Sequence, residues 1–417
     1  MSDPPRGRAP TLSIVIPALN EEAGIEAIVR RCLDARDALT ARCRLAAVEI
    51  VVVNDGSSDR TEALALQFPE VTVLGFDRNQ GYGAALQSGF AHARGDLLAF
   101  LDADGTCDPL SFVDLCRALE EQAADIVLGS RMGPANKMPA VRRVGNAAFA
   151  WLLGVLSKRR VHDTASGMRV LRRAAYQQLL PLPDGMNFTP AMSARALLED
   201  RLKLVEVPMS YAERVGASKL SVLSDGLRFL RSILVAALCY RPARLLLLAA
   251  GVLALAMVAL GALPVRSWFQ AGDLPDWMIY RALLAALFGA VAGLCVSVAV
   301  VSDRVAAAAH RRSFASTGLT GWLARLYARP LNWAVWLALG GGALALVAPG
   351  FAEYLASGEV TLHWSRPLLA LLLLVLASGH ALTVVLLGLV DLMERQSAPP
   401  SSARSPDRRR VGSAPAA

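Results

Sequence analysis

The chain reads Leu97-Leu98-Ala99-Phe100-Leu101-Asp102-Ala103-Asp104-Gly105, an apolar run that ends at two carboxylates. Five consecutive apolar residues predict a buried β-strand. Two aspartates at this spacing can approach one hard cation, and Mg²⁺ or Mn²⁺ prefers oxygen ligands and commonly bridges to phosphates. Taken alone, the pair is better explained by a solvated acidic turn. The surrounding sequence therefore has to decide between the two interpretations.

Short apolar runs alternate with helical patterns on both sides of this stretch. The runs are 12–16, 48–53, 71–76, 97–101 and 126–128, and the helical patterns lie at about 22–39, 58–67, 82–94 and 109–122. This alternation predicts an α/β domain with a mostly parallel sheet that is covered on both faces. Ligands of such sheets bind beyond the carboxyl ends of the strands, so the polar loops there are the candidate site.

The composition changes near residue 225. The 417-residue chain is 54% hydrophobic and only 19% charged, whereas soluble domains are about 25% charged. Four apolar stretches without Asp, Glu, Lys or Arg follow, at 245–265, 282–301, 331–350 and 368–390. Each is close to the roughly 20 residues that a helix needs to cross the hydrocarbon core. An all-α membrane domain of four transmembrane helices is predicted after the α/β domain.

The charges predict the orientation and the partners of the chain. The net charge is +8, and arginines concentrate in the link 302–330 and in the tail after residue 390. The positive-inside rule then places the α/β domain and the C-terminus on the cytoplasmic side of the cytoplasmic (inner) membrane. Because the positive residues lie beside apolar segments, the bilayer is the expected partner and nucleic acid is not.

Four segments are predicted from these patterns. Residues 1–217 form the α/β domain and residues 244–390 the transmembrane domain. Between them, at 218–243, leucines recur at three- and four-residue steps, which predicts an amphipathic helix in the membrane interface. An ordinary helix packed on the domain is the alternative. The basic tail, 391–417, is rich in Pro, Ser and Ala, and we expect it to be disordered.

Three more polar loops follow predicted strands: Ser13 to Glu22, Val53 to Asp59, and Asn79 to Ala85. Together with residues 97–105 they resemble family 2 glycosyltransferases of the GT-A fold. The resemblance implies a pocket for a nucleotide-sugar, with Glu21 near the ribose and Asp55 on the base, and a Mg²⁺ or Mn²⁺ site with the diphosphate. The residues it implies for the nucleotide are Pro17, Leu19, Glu21, Asn54, Asp55, Gly81 and Asp102, and those for the metal and catalysis are Asp102 and Asp104.

Four downstream motifs resemble the polyprenyl-phosphate branch of that family, which includes dolichol-phosphate mannose synthases and bactoprenol glucosyltransferases. They are 129–131, 142–146, 163–169 and 214–220. The resemblance implies inverting transfer of one sugar, UDP- or GDP-linked, to polyprenyl phosphate. An anionic acceptor needs cationic or amide partners, and the candidates are Arg131 (also a catalytic candidate), Arg142, Asn146, Arg214 and Lys219. The position of Arg169 at a strand start suits packing instead.

The choice between a hydroxyl and a phosphate acceptor depends on whether the sequence offers a general base. A sugar hydroxyl usually needs a general base, whereas a phosphate is already anionic. Glu199 and Asp200 follow a predicted helix and read as a helix-end turn, so the phosphate is favoured. Thr106 and Cys107 stand where related enzymes often have Gln and His, and Thr106 could reach a metal only through its hydroxyl or a water.

Two alternatives stay open. One is a membrane glycosyltransferase that acts on a lipid or polysaccharide hydroxyl, and the other is a non-catalytic membrane scaffold with a degenerate transferase domain.

A homo-oligomer is compatible with the small residues Gly289, Gly293 and Gly340 to Gly342, which permit close helix packing.

Overall fold

The computed structural model describes residues 8–133, 139–212, 221–271, 274–310, 319–327 and 332–397. The chain divides into two compact units, 1–241 and 242–417.

The first unit is built on one sheet, which has seven strands in the described ranges, in the order β3-β2-β1-β4-β6-β5-β7. All neighbours pair in parallel except β6, which is antiparallel to both β4 and β5. The predicted mostly parallel sheet is confirmed. The strands are β1 (Thr11–Ala18), β2 (Ala47–Asn54), β3 (Thr72–Gly75), β4 (Leu97–Phe100), β5 (Ile126–Ser130), β6 (Arg169–Arg172) and β7 (Leu204–Pro208).

Helices cover both faces of this sheet. The pattern predicted as one helix at 22–39 is two, divided at Ala35. Because Ile28, Cys32, Ala35 and Leu39 are all buried at three- or four-residue steps, the apolar periodicity runs through the break and gives no sign of it. The helices of the unit are α1 (Ile25–Asp34), α2 (Arg36–Cys43), α3 (Thr61–Ala65), α4 (Tyr82–His92), α5 (Phe112–Glu121), α6 (Ala140–Ser157), α7 (Arg173–Leu179), α8 (Phe188–Leu198) and α9 (Val222–Tyr240).

The core lies in two layers, one on each face of the sheet. In β1, Ile14 and Ile16 belong to the layer that includes helix α1, whereas Val15 belongs to the layer that includes Phe90 of α4 and Phe188 of α8. A strand buried on both faces reads as a continuous apolar run, which is why β1 shows no alternation.

The register of the strands brings the site loops to one edge. Ala18 pairs with Asn54, and Asn54 with Gly75, so the loops after β1, β2 and β3 leave the sheet together. Since β6 runs antiparallel, its first residue, Arg169, lies beside Phe100 at the carboxyl end of β4 and beside Leu128 of β5. The loop that precedes β6 therefore reaches the same edge.

The second unit is helical. It contains α10 (Pro242–Ala271), α11 (Ile279–Ala309), α12 (Leu319–Tyr327), α13 (Asn332–Ser357) and α14 (Ser365–Ser397). Within its described residues, the four helices other than α12 are long and apolar enough to cross a membrane, which confirms the predicted set of four apolar helices. Helix α11 packs on α10 and α14, and α13 packs on α14. An ion pair of 2.8 Å between Arg304 and Asp391 also joins α11 to α14.

Candidate active site

A cleft of about 510 Å³ opens at the carboxyl edge of the sheet. Its inner wall comes from the loops after β1, β2 and β4 and from the start of α4, and its outer wall comes from α6 and α9. The predicted site residues that line it are Pro17, Leu19, Glu21, Asp55, Gly81, Asp102, Asp104, Arg131, Arg142 and Asn146. Arg214 and Lys219 lie outside the described residues.

The two aspartates after β4 are held by hydrogen bonds from the chain itself. Oδ1 of Asp102 accepts a hydrogen bond of 2.7 Å from the hydroxyl of Tyr82. Asp104 is buried, and its Oδ1 accepts from the hydroxyl of Thr106 at 2.6 Å and from the Thr106 backbone N–H at 3.1 Å. A buried, hydrogen-bonded carboxylate is not part of a solvated turn. Because the Thr106 hydroxyl donates to Asp104, its position favours a role in orienting that carboxylate over direct contact with a metal.

This pair suits a divalent cation that shares its ligands with a substrate. Carboxylate oxygens are hard donors, and Mg²⁺ typically takes one or two of them and fills its remaining positions with waters and phosphate oxygens. No group of three or more His, Cys, Asp or Glu in the described ranges could hold a metal. The donor set therefore fits a metal–diphosphate complex better than a metal enclosed by protein ligands.

Asp55 holds the turn that begins α4. Its Oδ1 accepts from the backbone N–H of Gln80 at 2.7 Å, and its Oδ2 from that of Gly81 at 3.0 Å. Burial raises the pKa of Asp55, although these backbone hydrogen bonds act in the opposite direction. Gly81 has φ +113°, a conformation that favours glycine. The carboxylate predicted to bind the base thus also shapes the loop around it.

Asn54 and Glu21 support neighbouring loops. Asn54 is buried at the end of β2, where its Nδ2 donates to Glu62 at 2.9 Å and its Oδ1 accepts from the Ser57 N–H at 3.1 Å. It is not among the residues that line the cleft, so its position favours a role in the loop after β2. Glu21 lines the cleft, and its backbone N–H donates to the Thr61 hydroxyl at 2.8 Å.

Arg131 forms a buried bidentate ion pair. Its Nε and one terminal nitrogen donate to the two oxygens of Asp163 at 2.7 and 2.8 Å, and its guanidinium lies 5.6 Å from the ring centre of Tyr211. Burial disfavours the charge on Asp163, but the charge of Arg131 and its hydrogen bonds outweigh this and lower the pKa of Asp163. Burial likewise disfavours the charge on Arg131, and the charge of Asp163 raises the pKa of Arg131 overall. The pair stays ionised at neutral pH. A phosphate bound at Arg131 would therefore share the guanidinium with the Asp163 carboxylate.

Asn146 and Arg169 fix the loop before β6. The Nδ2 of Asn146 donates to the carbonyl of His162 at 2.8 Å, and its Oδ1 accepts from the N–H and hydroxyl of Thr164 at 3.0 and 2.8 Å. Arg169 is fully buried and donates to the backbone carbonyls of Thr164 and Thr189. Arg169 packs as the sequence predicted, and Asn146 holds the loop that carries Asp163.

Several cleft residues were missed in the sequence analysis, among them Tyr82, Asp225 and Arg228. Asp225 is buried on α9, accepts from the Ser221 N–H at 2.8 Å and pairs with Arg228 at 3.0 Å. The three-residue spacing of Asp225 and Arg228 near a helix start is the sequence signal that could have predicted this ion pair. Tyr82 shows only as a tyrosine between two glycines.

The chain is similar to known proteins over the region that forms the sheet. The family described as Glycosyl transferase family 2 matches residues 13–180, which run from β1 through α7. A dolichyl-phosphate hexose transferase of Haloferax volcanii is 30% identical over 229 residues, a match that covers 92% of that protein and 53% of this chain. The chain belongs to glycosyl transferase family 2. Its membership confirms the predicted resemblance and, with the sheet, the GT-A fold.

Other relatives of this family 2 glycosyltransferase carry related names. A low-salt glycan biosynthesis hexosyltransferase (Agl6) of Haloferax volcanii is 34% identical over 234 residues, which is 54% of each chain. The dolichyl-phosphate beta-glucosyltransferase of Saccharomyces cerevisiae is 28% identical over 256 residues, 75% of that protein and 55% of this chain. The chain thus spans only about half the length of the first of these. The dolichyl-phosphate names agree with the predicted polyprenyl-phosphate branch.

Among solved structures, glucosyl-3-phosphoglycerate synthase from Mycobacterium tuberculosis, in complex with Mn²⁺, UDP and phosphoglyceric acid, is similar over 55% of this chain and 79% of that chain. The sequence identity is 24% and the TM-score 0.44. A likeness this weak bears on neither ligands nor activity.

Proposed function

We propose that this glycosyltransferase moves one sugar from a UDP- or GDP-linked donor to polyprenyl phosphate, with inversion, at the cytoplasmic face of the membrane. The observation that carries the proposal is the composition of the cleft. One wall holds the acidic pair and the nucleotide loops, and the other holds arginines on two helices with exposed apolar side chains.

The inner wall suits the donor. Asp102 and Asp104 would hold Mg²⁺ or Mn²⁺, which would neutralise the charge that develops on the departing nucleoside diphosphate. Pro17, Leu19 and Glu21 line the same wall and would position the nucleoside. The chain then contributes by positioning the donor and by presenting fixed charges, which are the main sources of rate enhancement in transfers of this kind.

The outer wall suits an anionic lipid. Arg142 of α6 and Arg228 of α9 line the cleft, as do the rings of Phe149 and Phe229, whose centres lie 6.2 Å apart. Arginine forms bidentate contacts with phosphate, and the rings offer apolar surface to an isoprenoid chain. We propose that Arg142 and Arg228 contact the acceptor phosphate together with Arg131, and that Arg214 and Lys219 do so from outside the described residues.

Helices α6 and α9 present apolar side chains to their surroundings. Val144 and Trp151 of α6 are each 70% exposed, and Leu223 and Leu227 of α9 are 77% and 61% exposed. Exposed apolar side chains on two neighbouring helices favour contact with the lipid interface over contact with water. They support the proposed interfacial role of residues 218–243.

The acids of the cleft favour a phosphate acceptor. Glu199 and Asp200 lie at the end of α8 and do not line the cleft, and Asp200 is paired with Arg241. Asp225 does line it, but its carboxylate already accepts from the Ser221 N–H and pairs with Arg228. A phosphate oxygen can attack the anomeric carbon directly while the nucleoside diphosphate leaves, without prior removal of a proton.

The experiment is a transfer assay with two acceptor classes. Membranes that contain the protein are incubated with labelled nucleotide-sugars and either polyprenyl phosphate or diacylglycerol, and the organic phase is analysed. We expect a labelled product with polyprenyl phosphate alone, lost in Asp104→Asn and kept in Asp225→Asn. Label in diacylglycerol or polysaccharide, abolished by Asp225→Asn, would instead indicate a hydroxyl acceptor and a general base.

A further inference from the structure

Tyr82 is the first residue of α4 and touches the acidic pair directly. Its hydroxyl donates a hydrogen bond of 2.7 Å to Oδ1 of Asp102, and both residues line the cleft. Hydrogen bonds to an ionised carboxylate are about twice as strong as neutral ones. The proposed roles in binding the nucleotide, the metal and the acceptor do not explain this hydrogen bond.

The backbone fixes the tyrosine from both sides. A Cβ at Gly81 would come within 2.5 Å of the Asp184 carbonyl oxygen, and one at Gly83 within 2.1 Å of the Pro183 carbonyl oxygen. The start of α4 is therefore packed against the 183–184 backbone, and Asp55 holds the preceding turn through two N–H groups. Since Tyr82 has only two side-chain torsions, the fixed backbone leaves its hydroxyl few positions.

Gly167 confines Asp102 on the opposite side. A Cβ at Gly167 would lie 2.0 Å from Oδ2 of Asp102 and 2.6 Å from its carboxyl carbon. Any side chain at this position would force the carboxylate to move. The loop that carries Gly167 is itself held by the Asp163 and Asn146 contacts, so the carboxylate lies between Tyr82 and a hydrogen-bonded loop.

We propose that Tyr82 is a positioning residue that holds the Asp102 carboxylate in the orientation in which it would bind the cation of the donor complex. The proposal rests on the proposed function. The phenol holds Oδ1, and the backbone at Gly167 packs against Oδ2, so the carboxylate is held from both sides. Loss of the phenol would let the carboxylate rotate, and outer-shell substitutions of this type typically weaken metal binding by about 10–100-fold.

The test measures Mn²⁺ binding directly. The full chain in nanodiscs is titrated with Mn²⁺ in the presence of UDP or GDP, and free Mn²⁺ is followed by electron paramagnetic resonance. We expect the Mn²⁺ affinity of Tyr82→Phe to fall by about 10–100-fold. The matched control is Tyr176→Phe, which removes a buried phenol that packs on Phe90 in the core and should bind Mn²⁺ as the wild type does.

Transfer kinetics provide a second measurement. In Tyr82→Phe, the Mn²⁺ concentration for half-maximal rate should rise, while kcat at saturating Mn²⁺ changes much less. Gly167→Ala is the positive control, because it displaces the same carboxylate from its other side and should weaken Mn²⁺ binding while the phenol is intact.

The outcomes separate this inference from the proposed function. A wild-type protein that binds no Mn²⁺ with either nucleotide would overturn both. Wild-type binding with unchanged affinity in Tyr82→Phe would overturn the positioning role and leave the proposed function standing.

Discussion

Removal of the buried Asp163 carboxylate should destabilise the fold strongly. Asp163 is fully buried, and it neutralises Arg131, which is 14% exposed. In Asp163→Asn the guanidinium stays buried without a counter-charge, which typically costs about 3–5 kcal/mol of unfolding free energy. Thermal unfolding in detergent measures the loss. The control is Glu26→Gln, which breaks an exposed pair with Arg30 and should cost less than about 1 kcal/mol.

The same pair predicts a dependence of stability on pH. The folded-state pKa of Asp163 is lowered, so its stabilisation is fully present above the unfolded pKa of about 3.9. It is lost as the pH falls through the lower, folded-state pKa. The difference in unfolding free energy between the wild type and Asp163→Asn should stay constant from neutral pH down to about 5 and shrink below about 4. A difference that already shrinks between pH 7 and 5 would contradict this assignment.

A substitution of Asp104 tests the proposed role of this carboxylate in sugar transfer. If it holds the cation at the leaving diphosphate, Asp104→Asn should reduce kcat by about 100-fold or more, the usual effect of losing one fixed charge-stabilising group. The rate of sugar transfer is the measurement, with Asp114→Asn on the exposed side of α5 as control. Unchanged transfer in Asp104→Asn would remove the carboxylate from the mechanism.

At the scale of elements, the start of α4 depends on glycine. Gly81→Ala would combine a positive φ of +113° with a close approach to a backbone oxygen. The expected loss of unfolding free energy exceeds about 1 kcal/mol. Gly145→Ala is the control, because a Cβ there meets nothing within 4 Å and should stabilise α6 by about 0.5–1 kcal/mol. Equal melting temperatures for the two variants would contradict the assigned turn.

The sequence predicts some elements better than others, for physical reasons. The apolar runs of β1, β2 and β4 and the carboxylates after β4 follow from local pattern, and all lie where expected. The direction of β6 does not follow from local pattern, because strand pairing is decided by residues far apart in sequence. Only the antiparallel β6 brings Asp163 to Arg131 and Gly167 to Asp102, and these contacts between loops could not be read from spacing.

Helix α9 supplies a prediction for the acceptor. Leu223→Ser with Leu227→Ser replaces two exposed leucines beside the cleft. If this face contacts lipid, the KM for polyprenyl phosphate should rise several-fold while donor affinity is unchanged. The control is Leu66→Ser, a leucine that is 62% exposed and does not line the cleft. A change in donor affinity alone would contradict the lipid contact.

At the scale of the whole molecule, the arginine distribution predicts topology. Five arginines lie in 302–330 and five follow residue 390, so both segments should face the cytoplasm with the catalytic unit. In sealed right-side-out vesicles, a membrane-impermeant maleimide should label Ser357→Cys but neither Ser313→Cys nor Ser402→Cys, with the wild type as background. The reverse pattern would place the cleft on the far side of the membrane.

Binding of nucleoside diphosphate tests the central claim most directly, because it asks whether the carboxylates after β4 hold a cation with the donor. UDP and GDP are titrated calorimetrically into the full chain with Mn²⁺ and with chelator, for the wild type and for Asp102→Asn. We predict that one of the nucleotides binds the wild type with Mn²⁺, and that binding falls by at least about 10-fold both in chelator and in Asp102→Asn. Equal binding in all conditions, or none in any, would contradict the account.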